Sequence, residues 1–465
     1  MFSHSPGGGT IWNVLERCRH PLATLFVIAL AVRLVIMPLV SHDFDIYHWA
    51  LVIENIQTGD ELYGLDGYYY TPTWGYVLAF FSLIQDAFLW VDAFGLRVTE
   101  LLPIEDLVFD DHMATATTIA FNMSLKVPMV IIDFLVAWLL YKLLMDMTGG
   151  GRKSLAGAAL WLFCPVVIFM SSVQIQFDVL SALFMLLVVI LLRKNRCFLA
   201  GMVLTTAILL KFFPAFTLFV LIGYVFVKHR GSGTVIRRLV SAAVGMGLMV
   251  VILYLPTILD GNFMDSLFFM TGRLETQTSS GAFYEIGSFL LMAVGLIGMF
   301  VAGYRMFRTK PEDADKGLIS NVLLSLTFAM FISIMPQYIL ILMPFLIIVM
   351  LTSDGRMRLA WIVVSAGAML TVLVSNNIML LDSLAACTGI VSPGWIAEMA
   401  VAIETVRIGG YTLVTILGAL GGVIECLGLV FILLLYLEDA AGSRIPRIAG
   451  ALSKLKRWDF NEEQV

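Results

Sequence analysis

The chain has 465 residues, of which 60% are hydrophobic and only 14% are charged, and its formal net charge is −5. Soluble domains carry about 25% charged residues, so this composition excludes an ordinary water-soluble protein. Apolar runs recur along the whole chain, and about 20 helical residues cross the ~30 Å hydrocarbon layer of a bilayer. Sustained period-two alternation is absent, which disfavours a transmembrane barrel and predicts an all-α, polytopic transmembrane helical bundle.

Basic residues cluster in loops that alternate with acidic loops. The positive-inside rule assigns the basic loops, both termini included, to the cytoplasm and the acidic loops to the outer side. We therefore divide the chain into a cytoplasmic segment at 1–20, a membrane domain at 21–438 with an outer loop at 41–70, and a cytoplasmic tail at 439–465. About twelve spans are predicted, at about 21–40, 126–146, 155–173, 178–193, 197–211, 212–227, 239–259, 286–304, 318–336, 338–352, 359–381 and 411–437.

Two stretches depart from simple crossings. The run at 71–90 does not fit the charge pattern as a full span and is interpreted as a re-entrant or partial element. Residues 197–227 lie between two basic clusters and must go out and return, which leaves each arm about 22 Å long at 1.5 Å per residue. The apex at Lys211 should then lie within the membrane, where a cation is costly without a partner and is a candidate site residue.

The first outer loop begins with two carboxylates, Asp43 and Asp45, directly after the first span. A partly buried carboxylate is suited to act as a general base on a hydroxyl; alternatively, either residue caps the following helix. The loop ends in three tyrosines, including Tyr70, followed by Trp74. These rings form either an interfacial aromatic belt or a platform for a sugar or lipid.

A short outer turn at 171–178 reads Ser-Ser-Val-Gln-Ile-Gln-Phe-Asp. Gln174, Gln176 and Asp178 are candidates for binding sugar hydroxyls or for orienting a catalytic carboxylate, although Asp178 also suits a helix cap. Arg273 is a second outward cation able to meet a phosphate, although the sequence alone favours an interfacial residue that snorkels.

Several classes of protein lack support in the sequence. Five scattered cysteines without CxxC spacing argue against a metal cluster or a disulfide framework. There is no Walker loop, no GxGxxG after a strand and no HExxH, which removes support for ATP-driven transport, dinucleotide chemistry and zinc proteolysis. We expect no nucleic-acid partner.

The order of motifs resembles the GT-C superfamily of integral membrane glycosyltransferases. The motifs are the acidic pair, Tyr-x-Thr-Pro, the Asp133 span, the run Trp161 to Pro165, the turn at 171–178 and the Leu-Lys-Phe-Phe-Pro hairpin around Lys211. The pattern is most similar to the glycosylphosphatidylinositol mannosyltransferase I group and to prokaryotic polyprenyl-phosphate-mannose-dependent mannosyltransferases, over about 20–230. The turn departs from that group's spacing.

The resemblance implies an inverting transfer of a sugar, mannose by family, from a polyprenyl-phosphate donor to a lipid, glycan or protein-linked acceptor on the non-cytoplasmic face. Asp43 or Asp45 would be the base, and Lys211, with Arg273 as the second candidate, would neutralise the departing phosphate. A divalent cation on the carboxylates is an open alternative. The membrane would be the cell membrane, or the endoplasmic reticulum membrane in a eukaryote.

Two other classes remain open. In a transporter or lipid flippase, Lys211, Asp133 and Asp178 would be relays for an ion or substrate. In a non-catalytic assembly subunit, the polar residues would hold helices together. The sequence contains no convincing internal repeat of the kind that many transporters show.

Overall fold

A computed structural model describes residues 18–41, 43–59, 62–64, 68, 70–84, 102–109, 112–116, 119–266 and 282–441. These residues are almost entirely helical. The helices are α1 (Pro21–Ile36), α2 (Asp43–Thr58), α3 (Pro72–Ser82), α4 (Ile119–Thr148), α5 (Gly151–Leu162), α6 (Pro165–Ser172), α7 (Asp178–Arg193), α8 (Cys197–Leu210), α9 (Leu218–Lys228), α10 (Val235–Leu259), α11 (Ala282–Arg308), α12 (Ala314–Met330), α13 (Ile339–Thr352), α14 (Met357–Asn376), α15 (Asp382–Thr388), α16 (Pro393–Thr405) and α17 (Leu413–Ala441).

Two small antiparallel hairpins are the departures from the predicted all-α fold within the described ranges. One pairs β1 (Leu102–Phe109) with β2 (His112–Ala116), and the other pairs β3 (Arg407–Ile408) with β4 (Tyr411–Thr412). The first lies in a predicted acidic outer loop, and the second lies at the start of the span predicted at 411–437. The prediction of a helical bundle is therefore correct for the long helices and misses these two short pairings.

Five of the described helices are long and apolar enough to cross a membrane, and a bent pair brings the number to six. Several shorter apolar helices accompany them: Pro21–Ile36, Cys197–Leu210, Phe213–Lys228 and Pro336–Thr352. The protein is therefore a multi-helix membrane protein, as predicted. The count of twelve crossings is not established by these lengths and stays a prediction.

The span predicted at 155–173 is not one straight helix. It consists of α5 and α6, which meet at an angle of 53°. Pro165 starts α6, and a proline cannot donate a backbone hydrogen bond to the preceding turn. After the bend, α6 leads at Ser172 into the polar turn that precedes α7.

The predicted helix break at Lys211 is present. Helix α8 ends at Leu210, Lys211 is extended (φ −151°, ψ 130°), and a 3₁₀ helix follows at Phe213–Thr217. The predicted partial element at 71–90 begins as α3, which has only 11 residues. At 1.5 Å per residue α3 is too short to cross the hydrocarbon layer.

Helices α14 and α17 pack at close range because small residues face each other. A Cβ added to Gly367 would clash with the backbone nitrogen of Glu425, and one added to Gly421 would clash with Thr371 Oγ1. Close backbone approach at small residues is the usual way in which helices associate inside a bilayer. This contact joins the last helix to the rest of the bundle.

Candidate functional site

The acidic segment of the first loop starts helix α2. Asp43 is its first residue, and Asp45 lies within its first turn. The side chain of Asp43 lies outside the described part of the protein, so its predicted role stays a prediction. The apolar residues Ile46, Trp49 and Val52 face the core, and their helical spacing fixes which side of α2 is buried.

A buried lysine that was not predicted from the sequence binds the backbone just before the acidic segment. Lys126 of α4 is fully buried, and its ammonium donates hydrogen bonds to Met37 O (2.8 Å), Val40 O (2.6 Å) and Ser41 Oγ (2.8 Å). These carbonyls follow the end of α1, where the helix dipole favours a cation. Lys126 thereby fixes the backbone immediately before the two acidic residues.

The polar turn between α6 and α7 reaches the acidic segment directly. Gln176 Nε2 donates a hydrogen bond of 2.7 Å to Asp45 Oδ2. Gln174 and Gln176 are both buried. The turn therefore contacts the acidic segment through Gln176, which holds the Asp45 carboxylate. The catalytic role of that carboxylate stays a prediction.

The turn adopts an unusual backbone conformation. Ile175 has φ 57°, a region that β-branched residues rarely occupy. The Gln174 and Gln176 backbone amides donate to Phe169 O (3.1 Å) and Met170 O (2.9 Å), and Ile175 is fully buried. Backbone strain of this kind concentrates at functional sites, where the surrounding packing maintains it.

Lys211 lies beside the same turn. Its Nζ is 3.4 Å from Asp178 Oδ2, and it lies 4.2 Å from the ring centroid of Phe177 and 4.6 Å from that of Tyr338. Lys211 and Asp178 are both buried. The predicted intramembrane cation therefore has an anionic partner and two aromatic faces, which attract a cation through the ring quadrupole.

Aromatic rings connect Lys211 to α2. The Tyr70 ring lies 5.2 Å from Phe177 and 5.5 Å from Trp49, and Trp74 lies 4.6 Å from Phe177. Trp49, Trp74 and Phe177 are buried, whereas Tyr70 is partly exposed. The cluster therefore forms a rigid base, with Tyr70 as the ring available to a ligand.

Tyr68 fixes the end of the tyrosine run. Its hydroxyl donates to Thr71 O (2.8 Å) and accepts from the Gly75 amide (2.9 Å). Burial raises the pKa of Tyr68 well above its usual value, so the hydroxyl keeps its proton. Thr71 in turn donates to Leu209 O, which ties the start of α3 to the chain just before Lys211.

Asp133, the acidic residue of the predicted second span, belongs to a separate cluster. Its carboxylate is 2.6 Å from Arg33 NH2 of α1 and also accepts from Trp161 Nε1 and from Ser171 Oγ (3.1 Å). Both charged groups are fully buried. These donors occupy the carboxylate, and the pair joins α1, α4 and the α5–α6 bend.

The structure does not test two predictions, the role of Arg273 and the binding of a divalent cation. Arg273 lies outside the described residues. Among the residues that the structure describes, no group of three His, Cys, Asp or Glu side chains is placed to hold a metal ion. The possibility of a divalent cation on the acidic segment therefore stays a prediction.

The sequence also matches a known family. The model of Glycosyltransferase family 87 matches residues 117–334, just under half of the chain. The matched segment includes the polar turn and Lys211 but begins after the acidic segment. No curated protein is similar enough to count as a match. The family match supports a membrane glycosyltransferase, and it does not extend to the more specific resemblance to the glycosylphosphatidylinositol mannosyltransferase I group.

Proposed function

We propose that this membrane protein transfers a sugar, mannose by resemblance, from a polyprenyl-phosphate donor to a lipid, glycan or protein-linked acceptor on the non-cytoplasmic face. The observation that carries the proposal is the hydrogen bond between Gln176 and Asp45. This hydrogen bond joins the acidic segment to the turn at 171–178. The last residue of that turn, Asp178, pairs with Lys211. A carboxylate, sugar-binding amides and a cation beside one another are the groups that such a transfer needs.

The proposed reaction is a direct displacement with inversion. An acceptor hydroxyl attacks the anomeric carbon, its proton passes to a carboxylate, and the bond from that carbon to the phosphate oxygen breaks. Asp45 is the base in this scheme, with Asp43 as the other candidate. Gln176 holds Asp45 in one orientation, which favours proton transfer from a positioned hydroxyl.

The polyprenyl phosphate departs with increased negative charge on its leaving oxygen. Lys211 is the cation assigned to this charge, because a fixed cation in a site that excludes water strongly stabilises it. Gln174, Gln176, Asp178 and Tyr70 are assigned to the sugar. Arg273 is proposed as a second contact for the phosphate.

The side of the membrane follows from charge. The acidic loops are assigned outward by the positive-inside rule, while sugar nucleotides are made in the cytoplasm. A donor carried by a membrane lipid accounts for both. The transporter alternative is not favoured, because Asp133, one of its three candidate relays, is held by Arg33, Trp161 and Ser171.

The test is transfer of label by purified protein. Wild type in detergent is incubated with radiolabelled polyprenyl-phosphate-mannose and a lipid extract from its host. We expect a labelled product, and a loss of about 10²- to 10⁴-fold in Asp45→Asn, the range for a general base. Asp43→Asn decides between the two candidate bases.

Asp146→Asn is the matched control, because Asp146 is 66% exposed and pairs with Arg193 in a basic cluster predicted to be cytoplasmic. It should transfer at the wild-type rate. If wild type consumes neither the mannose donor nor the corresponding glucose, arabinose and aminoarabinose lipids, the proposed function is wrong. Flux assays in liposomes would then test transport.

A further inference from the structure

Asp382 is a buried carboxyl group that the scheme above does not use. It is the first residue of α15 and is only 1% exposed. Neither of its carboxylate oxygens has a hydrogen-bond partner among the described residues. A buried carboxylate without a donor is costly, so a group of this kind calls for an explanation by function.

A second acceptor without a donor stands on the other side of the same helix break. Asn376 ends α14, and its amide nitrogen donates to Val372 O (2.6 Å). Its Oδ1 is buried without a hydrogen-bond partner in the described part of the chain. Asn376 and Asp382 thus flank the 3₁₀ turn Asn377–Leu381. Three buried oxygens around one turn therefore have no donor among the described residues.

Hydrogen bonds place this turn next to the acidic segment. The Ser41 amide donates to Leu380 O (3.3 Å), which links the residue two before Asp43 to the residue two before Asp382. Ser41 Oγ accepts from Lys126. The chain on both sides of the contact is therefore fixed.

A further contact holds α15 itself. Asn122 Nδ2 donates to Ser383 Oγ (3.4 Å), and both residues are fully buried. Asn122 lies one helical turn before Lys126 on α4, so the two side chains share a face. The face of α4 that anchors the acidic segment also anchors the start of α15.

We propose that Asp382 binds a hydroxyl group of the acceptor. Hydroxyls are donors of the kind that the described residues do not offer to the oxygens of Asp382 and Asn376, and a carboxylate accepts such hydrogen bonds strongly. The inference rests on the proposed transferase function and extends it by assigning an acceptor contact to the part of the chain beyond the family match.

The assignment to the acceptor follows from position. Gln176 links Asp45 to Lys211 and Asp178 on one side, where the donor phosphate is assigned. Ser41, two residues before the acidic segment, makes a separate contact with Leu380. A displacement with inversion requires the leaving phosphate and the acceptor hydroxyl to contact different groups, and we assign the contacts near Leu380 to the acceptor.

The experiment separates transfer to the acceptor from transfer to water. Purified protein is given radiolabelled polyprenyl-phosphate-mannose with and without the host lipid extract, and labelled lipid and free mannose are both counted. We expect Asp382→Ala to lower acceptor kcat/KM at least about tenfold, the loss for a hydrogen bond to a charged group. Hydrolysis of the donor should be unchanged. Asp382→Asn, which keeps one acceptor oxygen, should recover part of the transfer.

Glu425→Gln provides the matched control. Glu425 is also 1% exposed, and its Oε2 has no hydrogen-bond partner in the described residues, but it lies near the middle of α17. It should leave both reactions unchanged. If Asp382→Ala unfolds, as judged by its thermal transition, Asp382→Asn and Asp382→Ser supply the measurement.

Distinct results overturn the inference. Unchanged acceptor kinetics in the folded Asp382 variants would refute it while leaving the transferase intact. An equal fall in transfer and hydrolysis would show general damage to the site and would also refute it. Loss of transfer on adding EDTA, restored by Mg²⁺ in wild type only, would assign Asp382 to a cation instead. A wild type that neither transfers nor hydrolyses the donor would overturn both proposals.

Discussion

The described part of the protein holds two buried ion pairs that a hydropathy profile would treat alike, Arg33–Asp133 and Lys211–Asp178. In the first, the ions are 2.6 Å apart, and Trp161 and Ser171 donate to the same carboxylate. In the second, the ions are 3.4 Å apart, the cation sits against aromatic rings, and the turn containing Asp178 also contacts Asp45 through Gln176.

The difference indicates separate roles. A buried charge with several donors in good geometry holds helices in register, and removing one partner leaves an uncompensated charge. The second cation lies at a helix break, against aromatic rings and beside the turn that contacts Asp45, where it can stabilise an incoming anion. We therefore interpret Arg33–Asp133 as structural and Lys211–Asp178 as part of the site, and four predictions test that division.

The largest effect is expected for loss of one partner of the structural pair. Arg33→Met leaves Asp133 buried without its cation and should cost about 3–5 kcal/mol of folding free energy. The double variant Arg33→Met, Asp133→Asn removes both charges and should recover most of the stability and transfer. Thermal unfolding in detergent measures both. A double variant as unstable as the single one would show that the charges themselves are needed.

Removing both charges of the second pair should preserve stability but abolish most of the transfer activity. Lys211→Met with Asp178→Asn avoids an unpaired buried charge, so its thermal transition should stay within a few degrees of wild type. Transfer should fall about 10²- to 10³-fold, the loss that follows removal of one group stabilising developing negative charge. Transfer at the wild-type rate would move the phosphate contact away from Lys211.

The third prediction concerns the link between the turn and the base. Gln176→Met removes the donor to Asp45 Oδ2 and should lower kcat about 10- to 100-fold, the loss of one hydrogen bond to a charged group. Gln174→Met is the control on the same turn, and it should act mainly on donor KM because Gln174 is assigned to the sugar. Equal effects of the two variants on kcat would contradict an orienting role for Gln176.

Much of this arrangement was predictable because it depends on local pattern. Apolar runs bounded by basic residues located the helices, and the short arms at 197–227 located the break at Lys211. The structure also confirms the polar turn at 171–178. Each of these predictions uses residues that are close together in the sequence, where periodicity and charge carry information.

The rest depends on contacts between distant segments. Arg33 and Asp133 are 100 residues apart, and Lys126 bonds to carbonyls 86 and 89 residues before it. In the sequence, Lys126 reads as one more basic residue at a helix end. Asp382 belongs to no sequence motif, and only the packing shows that its carboxylate has no donor among the described residues. The hairpins at β1–β2 and β3–β4 are short, and the strand propensities of their residues are too weak and context-dependent to predict them.

The smallest effect is expected for an ion pair that is neither deeply buried nor near the site. Asp315 accepts from Lys228 Nζ (2.6 Å), Tyr224 OH (2.7 Å) and Arg193 Nε (3.2 Å), and its side chain is 36% exposed. Burial alone would raise the pKa of Asp315, but the hydrogen bonds and charges of its partners outweigh burial and lower the pKa. A carboxyl with a depressed pKa stabilises the folded state above its unfolded value near about 4 and loses that contribution as the pH falls through the folded value.

Thermal transitions of wild type and Asp315→Asn between about pH 7 and pH 3 measure this contribution. At neutral pH the variant should be less stable by no more than about 1 kcal/mol, because solvent screens the pair. The gap between the two proteins should close below about pH 4, because protonation then neutralises the wild-type carboxylate and makes it resemble the uncharged amide of the variant. A gap that persists at the acid end of the range would assign the effect to packing, and a gap as large as that of Arg33→Met would show that exposure does not rank these ion pairs.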